Sequence, residues 1–195
     1  QKYPDVSVQL QVHSTRRTGW SVANGQIDLA IIGGQLPGDL ENLLQVIPYA
    51  TDELALVLPS KHPLSNKKEL LKEDLYKLNF VTLDSQSTTR KVVDKLLKDS
   101  GLDIQRLKIE MELNSLEAIK NAVQSGLGAS FLPVVSIERE LAAGTIHKVY
   151  IADLEVKREL KLITNPSRYT SRASEVFKKN ILPQFASFES PLRES

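Results

Sequence analysis

The stretch that most constrains this chain is Asn24-Gly25-Gln26-Ile27-Asp28-Leu29-Ala30-Ile31-Ile32-Gly33-Gly34. A glycine stops a helix, an acid precedes a short apolar strand, and the strand opens into a paired-glycine loop. Just upstream, Leu10-Gln11-Val12-His13-Ser14-Thr15-Arg16-Arg17 leads an expected strand into the hydroxyls that start that helix. A strand-helix-strand opening of this kind gathers amides, hydroxyls and a loop at one end of a sheet. Open α/β sheets hold small ligands at that end.

The rest of the pattern extends this opening. Val6, Val8, Leu10 and Val12 alternate with polar residues, which predicts a half-buried strand. Ser14 or Thr15 caps a helix reaching about Asn24, with Gly25 as its stop. Residues 27–32 are apolar almost throughout, as in a buried strand of a parallel sheet. Residues 43–49 and 53–58 are expected as two further strands, and 67–77 as short helix or turn. A second α/β unit follows. It has a strand at 79–83, a polar loop at 84–89 and a helix at 90–99. Next come a strand at 107–113 and a helix at 116–124 capped by Asn114 or Ser115. A strand at 129–132, a helical piece at 135–141 and a strand at 146–151 complete it. A last strand at 158–164 and helix at 171–185 need a sheet to join, and the first unit is the expected host. The reading is therefore α/β, with two Rossmann-like subdomains and a ligand cleft between them. Their expected bounds are 1–77 with 155–195, and 78–154.

Composition narrows the chemistry. The 195 residues carry a formal net charge of +1, with acids and bases interspersed. A nucleic-acid domain usually shows a stronger basic bias, so these residues are not expected to read DNA themselves. Cysteine is absent, which removes disulfides, thiolate metal sites and a cysteine nucleophile. The histidines stand at His13, His62 and His147, too scattered for a metal cluster. No nucleophile-elbow, phosphate-loop or zinc-protease motif occurs, so no enzyme, catalytic residue, metal or cofactor is expected. No apolar run approaches membrane-spanning length, and no secretory signal is visible.

Several pieces together resemble one family. They are Tyr3-Pro4-Asp5-Val6, then Val22 to Ile31, then Asp52-Glu53-Leu54-Ala55-Leu56-Val57-Leu58-Pro59 with His62-Pro63-Leu64. Later come Val123-Gln124-Ser125-Gly126-Leu127-Gly128 and Phe131-Leu132-Pro133. In this order, over nearly the whole chain, they resemble the effector-binding domain of LysR-type transcriptional regulators. His13 to Arg17 and Trp20 resemble the branch that controls carbon assimilation in cyanobacteria and plastids. The resemblance implies the type 2 periplasmic-binding-protein fold and a cytoplasmic location. It implies a small anionic metabolite as effector: a sugar bisphosphate, 2-phosphoglycolate or 2-oxoglutarate. It also implies a homodimer of this domain, a tetramer of the whole regulator, and DNA binding through an N-terminal winged helix-turn-helix absent from residues 1–195. A transporter's solute-binding protein and an enzyme of related architecture are the alternatives.

The candidate effector residues are Ser14, Thr15, Arg16, Gly34, Gln35, Ser87, Thr88, Thr89, Arg90 and Asn114. Ser14 and Thr15 fit a helix N-terminus that favours an anion, or a plain cap. Arg16 and Arg17 suit a carboxylate or phosphate, or a solvated surface pair. The segment from Ser87 to Arg90 repeats the hydroxyl-and-arginine order at a second helix start. It is otherwise a solvated loop. Gly33, Gly34 and Gln35 form the loop after the second strand, and Asn114 is either a cap or a cleft residue. Trp20 and Val22 are expected to supply apolar surface to the dimer.

Overall fold

The computed structural model describes residues 6–180 and 182. The chain divides into two compact units. The first comprises residues 1–51 and 159–195, and the second residues 52–158. The helices are α1 (Thr15–Ala23), α2 (Gly38–Glu41), α3 (Thr88–Asp99), α4 (Leu116–Gln124), α5 (Glu138–Ala142) and α6 (Arg172–Asn180). The strands are β1 (Leu29–Ile32), β2 (Gln45–Pro59), β3 (Glu69–Leu70), β4 (Asn79–Leu83) and β5 (Lys108–Leu113), then β6 (Ser130–Pro133), β7 (Ile146–Ile151) and β8 (Lys157–Thr164).

In the first unit, Ser14 caps α1 and Gly25 ends it with φ of +72°. A left-handed residue just past a helix is where glycine is least strained. Asn165 and Arg168 donate to the carbonyl of Ala23, closing the last turn. Strand β1 pairs antiparallel with β8, Leu29 opposite Thr164 and Ile32 opposite Lys161. The expectation of a buried parallel strand there is corrected, since Ile31 is exposed and its ladder is antiparallel. Val22, Ile32, Leu36, Leu40, Leu44 and Ile163 form the core. Residues 6–14 form no strand, and Val8, Leu10 and Val12 are exposed. Alternation marks a face suited to burial; it does not supply a partner strand.

In the second unit, Leu54, Leu56 and Leu58 of β2 point into one core cluster and Val57 into another. A strand covered on both faces reads as a continuous apolar run, and 54–58 is one. It pairs antiparallel with β6 and β7, and β7 pairs parallel with β3. Strands β4 and β5 are parallel, and Ala129 bridges to Phe80. Phe80 and Phe131 stack with centroids 6.2 Å apart.

Three expectations shift. The two strands expected at 43–49 and 53–58 are one 15-residue strand. The piece at 135–141 is a 3-10 turn, Val134–Ser136, followed by α5. The unit boundaries fall at 51/52 and 158/159 rather than at 77/78 and 154/155. The reason is packing: Leu54, Leu70 and Leu75 share one cluster with Phe80, Val93 and Leu97. Tyr3-Pro4-Asp5 and the expected end of the last helix lie outside the described residues.

Candidate functional site

Two helix starts share one local chemistry. At α1, the Ser14 hydroxyl accepts from the Arg17 amide at 3.5 Å. At α3, the Ser87 hydroxyl accepts from the Arg90 amide, also at 3.5 Å. The sequences are Ser14-Thr15-Arg16-Arg17 and Ser87-Thr88-Thr89-Arg90. Neither first turn contains an acid. Helix starts commonly carry Asp or Glu there, because the unpaired amides present partial positive charge. Both turns leave that charge uncompensated by acids of their own and surround it with hydroxyls. Asp84 accepts from the Gln86 amide at 2.9 Å, which shapes the turn before Ser87.

The arginines behave differently from the simplest expectation. Arg90 is tied into its own unit. Its Nε meets Asp94 at 2.9 Å, and its Nη1 meets Glu112 at 3.1 Å and the Leu83 carbonyl at 3.2 Å. It also donates to Thr82 at 2.5 Å. Its side chain is only 15% exposed. With two carboxylates on one guanidinium, Arg90 is a clamp between α3, β4 and β5 in this structure. Arg16 pairs with Asp39 at 3.3 Å across exposed surface. A surface pair of this kind contributes about 0–1 kcal/mol and exchanges readily with another anion. Arg17 is exposed and forms no ion pair among the described residues.

The remaining candidates divide by exposure. Ser14 and Gln35 are exposed, Gly34 is half-buried, and Thr15 is buried at 8%. Ser87, Thr88 and Thr89 are half-buried. Asn114 is exposed and is not the cap of α4; Ser115 is, accepting from the Ala118 amide at 3.4 Å. The expectation that Val22 lends surface to a dimer is corrected. Val22 is 1% exposed and belongs to the first unit's core, because α1 turns that face inward. Trp20, on another face, keeps 37% exposure.

A small recess of about 30 Å³ lies beside α3, lined in part by Phe80, Thr82, Thr89, Arg90, Val93 and Phe131. A wider groove in the first unit is lined by Gly25, Asp28, Asn165, Arg168 and Tyr169. It sits at the C-terminal end of α1, where backbone carbonyls disfavour an anion.

One feature at α3 escaped the sequence. Arg158 donates through Nε at 2.8 Å and Nη2 at 2.6 Å to Oδ2 of Asp52. Its Nη1 donates to the Thr89 hydroxyl at 2.7 Å. Asp52 and Arg158 stand 106 positions apart. Neither shows more than a charge opening an apolar strand, so only the topology reveals the pair.

Comparison with known proteins agrees with this architecture. The LysR substrate binding domain model matches residues 1–186. A protein of Trichormus variabilis named "Probable RuBisCO transcriptional regulator" is 63% identical over 186 residues, covering 95% of this chain and 55% of the relative. One of the same name from Synechocystis is 61% identical over 186 residues, covering 95% and 54%. The chain thus spans about half the length of the curated relatives it matches. Among solved structures, the Synechocystis CcmR regulatory domain in complex with 2-PG aligns with a TM-score of 0.81 at 24% identity, covering 96% of this chain and 87% of that one. The effector binding domain of QuiR in complex with shikimate aligns with a TM-score of 0.73 at 22% identity, covering 89% and 78%. These likenesses establish the fold as that of LysR effector domains, the type 2 periplasmic-binding-protein class. The chain belongs to the LysR substrate-binding domain family, a family of transcriptional regulators and not of enzymes.

Proposed function

We propose that this chain is the effector-sensing part of a regulator of carbon-fixation genes, RuBisCO genes among them, and that its effector is a small anion. The observation that carries the anion reading is the pair of serine-capped first turns, rich in hydroxyls and lacking acids. A helix start contributes about 0.3–1 kcal/mol to a nearby anion, and up to about 2 where partly buried. Each hydrogen bond to a charged oxygen adds about 1.5–3 kcal/mol. The proposed contacts are the hydroxyls of Ser14, Thr15, Ser87, Thr88 and Thr89, with Gly34 and Gln35 beside the first start. Arg16 joins them by exchanging Asp39 for the effector. Arg90 and Asn114 leave this set, the first because its guanidinium is committed to Asp94 and Glu112.

The proposed effector class is a small molecule bearing phosphate or carboxylate groups, such as a sugar bisphosphate, 2-phosphoglycolate or 2-oxoglutarate. The relatives named for RuBisCO regulation and the 2-PG complex of CcmR support that choice. The protein acts in the cytoplasm as a homo-oligomer, with Trp20 at the contact. The whole regulator reads DNA through a winged helix-turn-helix N-terminal to residues 1–195. Calorimetry with 2-phosphoglycolate, 2-oxoglutarate and ribulose bisphosphate, against glycerol as a neutral control, tests the reading. Binding of one or more anions, weakened about tenfold by Ser87→Ala, is expected. Binding of neutral or cationic molecules alone would overturn it.

A further inference from the structure

Resting on the reading that Thr89 touches the effector, we infer that Arg158 is a positioning residue for it: the guanidinium fixes the Thr89 hydroxyl so that its proton faces an incoming anion. An arginine side chain has five N–H donors and no acceptor. In the 2.7 Å contact, Thr89 must therefore accept. Its own proton is then free for another acceptor, and no acceptor for that proton is assigned among the described residues. A hydroxyl that accepts from a cation is also polarised, which makes it a better donor to an anionic oxygen.

Asp52 completes the device. Both Nε and Nη2 of Arg158 converge on one carboxylate oxygen, so the fork is held in a single orientation with Nη1 aimed at Thr89. The two side chains are 14% and 7% exposed, so the pair is kept from water. Because Asp52 cancels the charge, Arg158 offers an anion little net attraction. What it contributes is the direction of one hydrogen bond. The other nearby guanidinium does not compete for Thr89: Arg90 spends its donors on Thr82, Leu83, Asp94 and Glu112. Lysine is no substitute, since an ammonium lacks the planar fork that reaches Asp52 and Thr89 together.

The test is calorimetric titration of the chain with 2-phosphoglycolate, with thermal unfolding run on every variant. Thr89→Ser should bind as the unsubstituted chain does, and Thr89→Ala about tenfold more weakly. Arg158→Lys should lose about the same factor. The doubly substituted D52N/R158Q removes the ion pair without leaving a buried charge unpaired, and so serves if Arg158→Lys does not fold. It too should lose about tenfold. Combined with Thr89→Ala, either change should cost nothing more, because both act through one hydroxyl. If Thr89→Ala weakens binding while D52N/R158Q binds normally, the role of Arg158 is refuted and the effector reading stands. Additive losses in the combined variant would refute it equally. If Thr89→Ala binds as tightly as the unsubstituted chain, the Thr89 contact itself is wrong, and the inference falls with it.

Discussion

Gly128 offers the sharpest test of how the second unit is built. A Cβ placed there would lie 2.6 Å from the carbonyl oxygen of Asn79 and 3.2 Å from its carbonyl carbon. A carbon cannot sit that close to a carbonyl oxygen, and the obstacle is backbone rather than a side chain that rotates away. The backbone is also pinned: the Ala129 amide donates to Asn79 at 2.7 Å and the Val81 amide to Ala129 at 2.9 Å. Gly128→Ala must push β4 from the segment before β6. Overpacking of this kind costs about 1–3 kcal/mol. Weakening two hydrogen bonds adds about 0.5–1.5 kcal/mol each. The lower entropy of the unfolded alanine chain returns about 0.4–1 kcal/mol. The net loss is about 1–5 kcal/mol, centred near 3. With a urea slope of about 1–3 kcal/mol/M, a loss near 3 kcal/mol lowers the midpoint by roughly 1–3 M. Urea unfolding followed by far-ultraviolet circular dichroism reads it; tryptophan fluorescence does not suit, because Trp20 lies in the other unit. Two alanine variants calibrate the result. Gly126 has φ of +85° with open space around it, so Gly126→Ala should cost about 1–2 kcal/mol. Gly38 has neither strain nor neighbours, so Gly38→Ala should be neutral or mildly stabilising. A Gly128→Ala midpoint unmoved within error, or a Gly126→Ala loss larger than that of Gly128→Ala, refutes the close-approach argument.

Two further outcomes are expected. Lys120 is held by Glu117 at 2.8 Å and Glu140 at 3.0 Å. The hydrogen bond to Glu117 chiefly raises the Lys120 ammonium above its ordinary range, and the bond from Lys120 holds the Glu140 carboxyl below its own. The Glu140 contribution is thus present above the usual carboxylate range and lost as pH falls through the lowered value; the Lys120 contribution is lost only as pH rises past the usual lysine range. Lys120→Met should cost about 3 kcal/mol at pH 7, and urea midpoints should show that loss shrinking in acid as Glu140 protonates; an equal loss at pH 7 and in acid refutes the pairing. Trp20→Glu should weaken self-association at least tenfold in sedimentation without moving the unfolding midpoint; an unchanged association constant removes Trp20 from the contact.

Much of the second unit was legible because its signals are local. Phe80, Val81 and Leu83 mark the expected strand at 79–83, and α3 begins two residues before its expected start at Arg90, with Ser87 as its cap. Less survived where a pattern needs a partner to become structure. The alternation of Val6 to Val12 specifies a face but no neighbour, and those residues form no strand. The apparent break near Ala50 does not end a strand, because Gln45–Pro59 is extended throughout. Val22 shows the limit of periodicity. Its neighbours Trp20 and Ala23 are partly open while it is enclosed, and only the packing of Leu36, Leu40 and Leu44 decides which face is inner. At the candidate site, Ser14 was legible as a cap, while Ser87 was legible only as part of a hydroxyl loop before a helix. The arginines were legible as cations, but not as cations already spent on Asp39, Asp94 and Glu112.

That last distinction bears on what kind of sensor such starts make. A guanidinium left open would offer any anion a bidentate grip, strong but indifferent to the rest of the molecule. Here the basic charge at α3 is balanced by acids of the same unit, and the donors that remain are amides and hydroxyls with fixed directions. Neutral donors attract an anion only at short range and only along their own axes. On the proposed reading, discrimination between metabolites then depends on where their oxygens lie and not on how much charge they carry. Two anions of equal charge but different length would differ in how many of these hydroxyls they reach, and each missed bond costs about 1.5–3 kcal/mol, or roughly ten- to a hundredfold in affinity. On that reading a charge-balanced, hydroxyl-lined helix start would act as a ruler for anions, and the buried Asp52–Arg158 pair would keep one of its marks, the Thr89 hydroxyl, from turning.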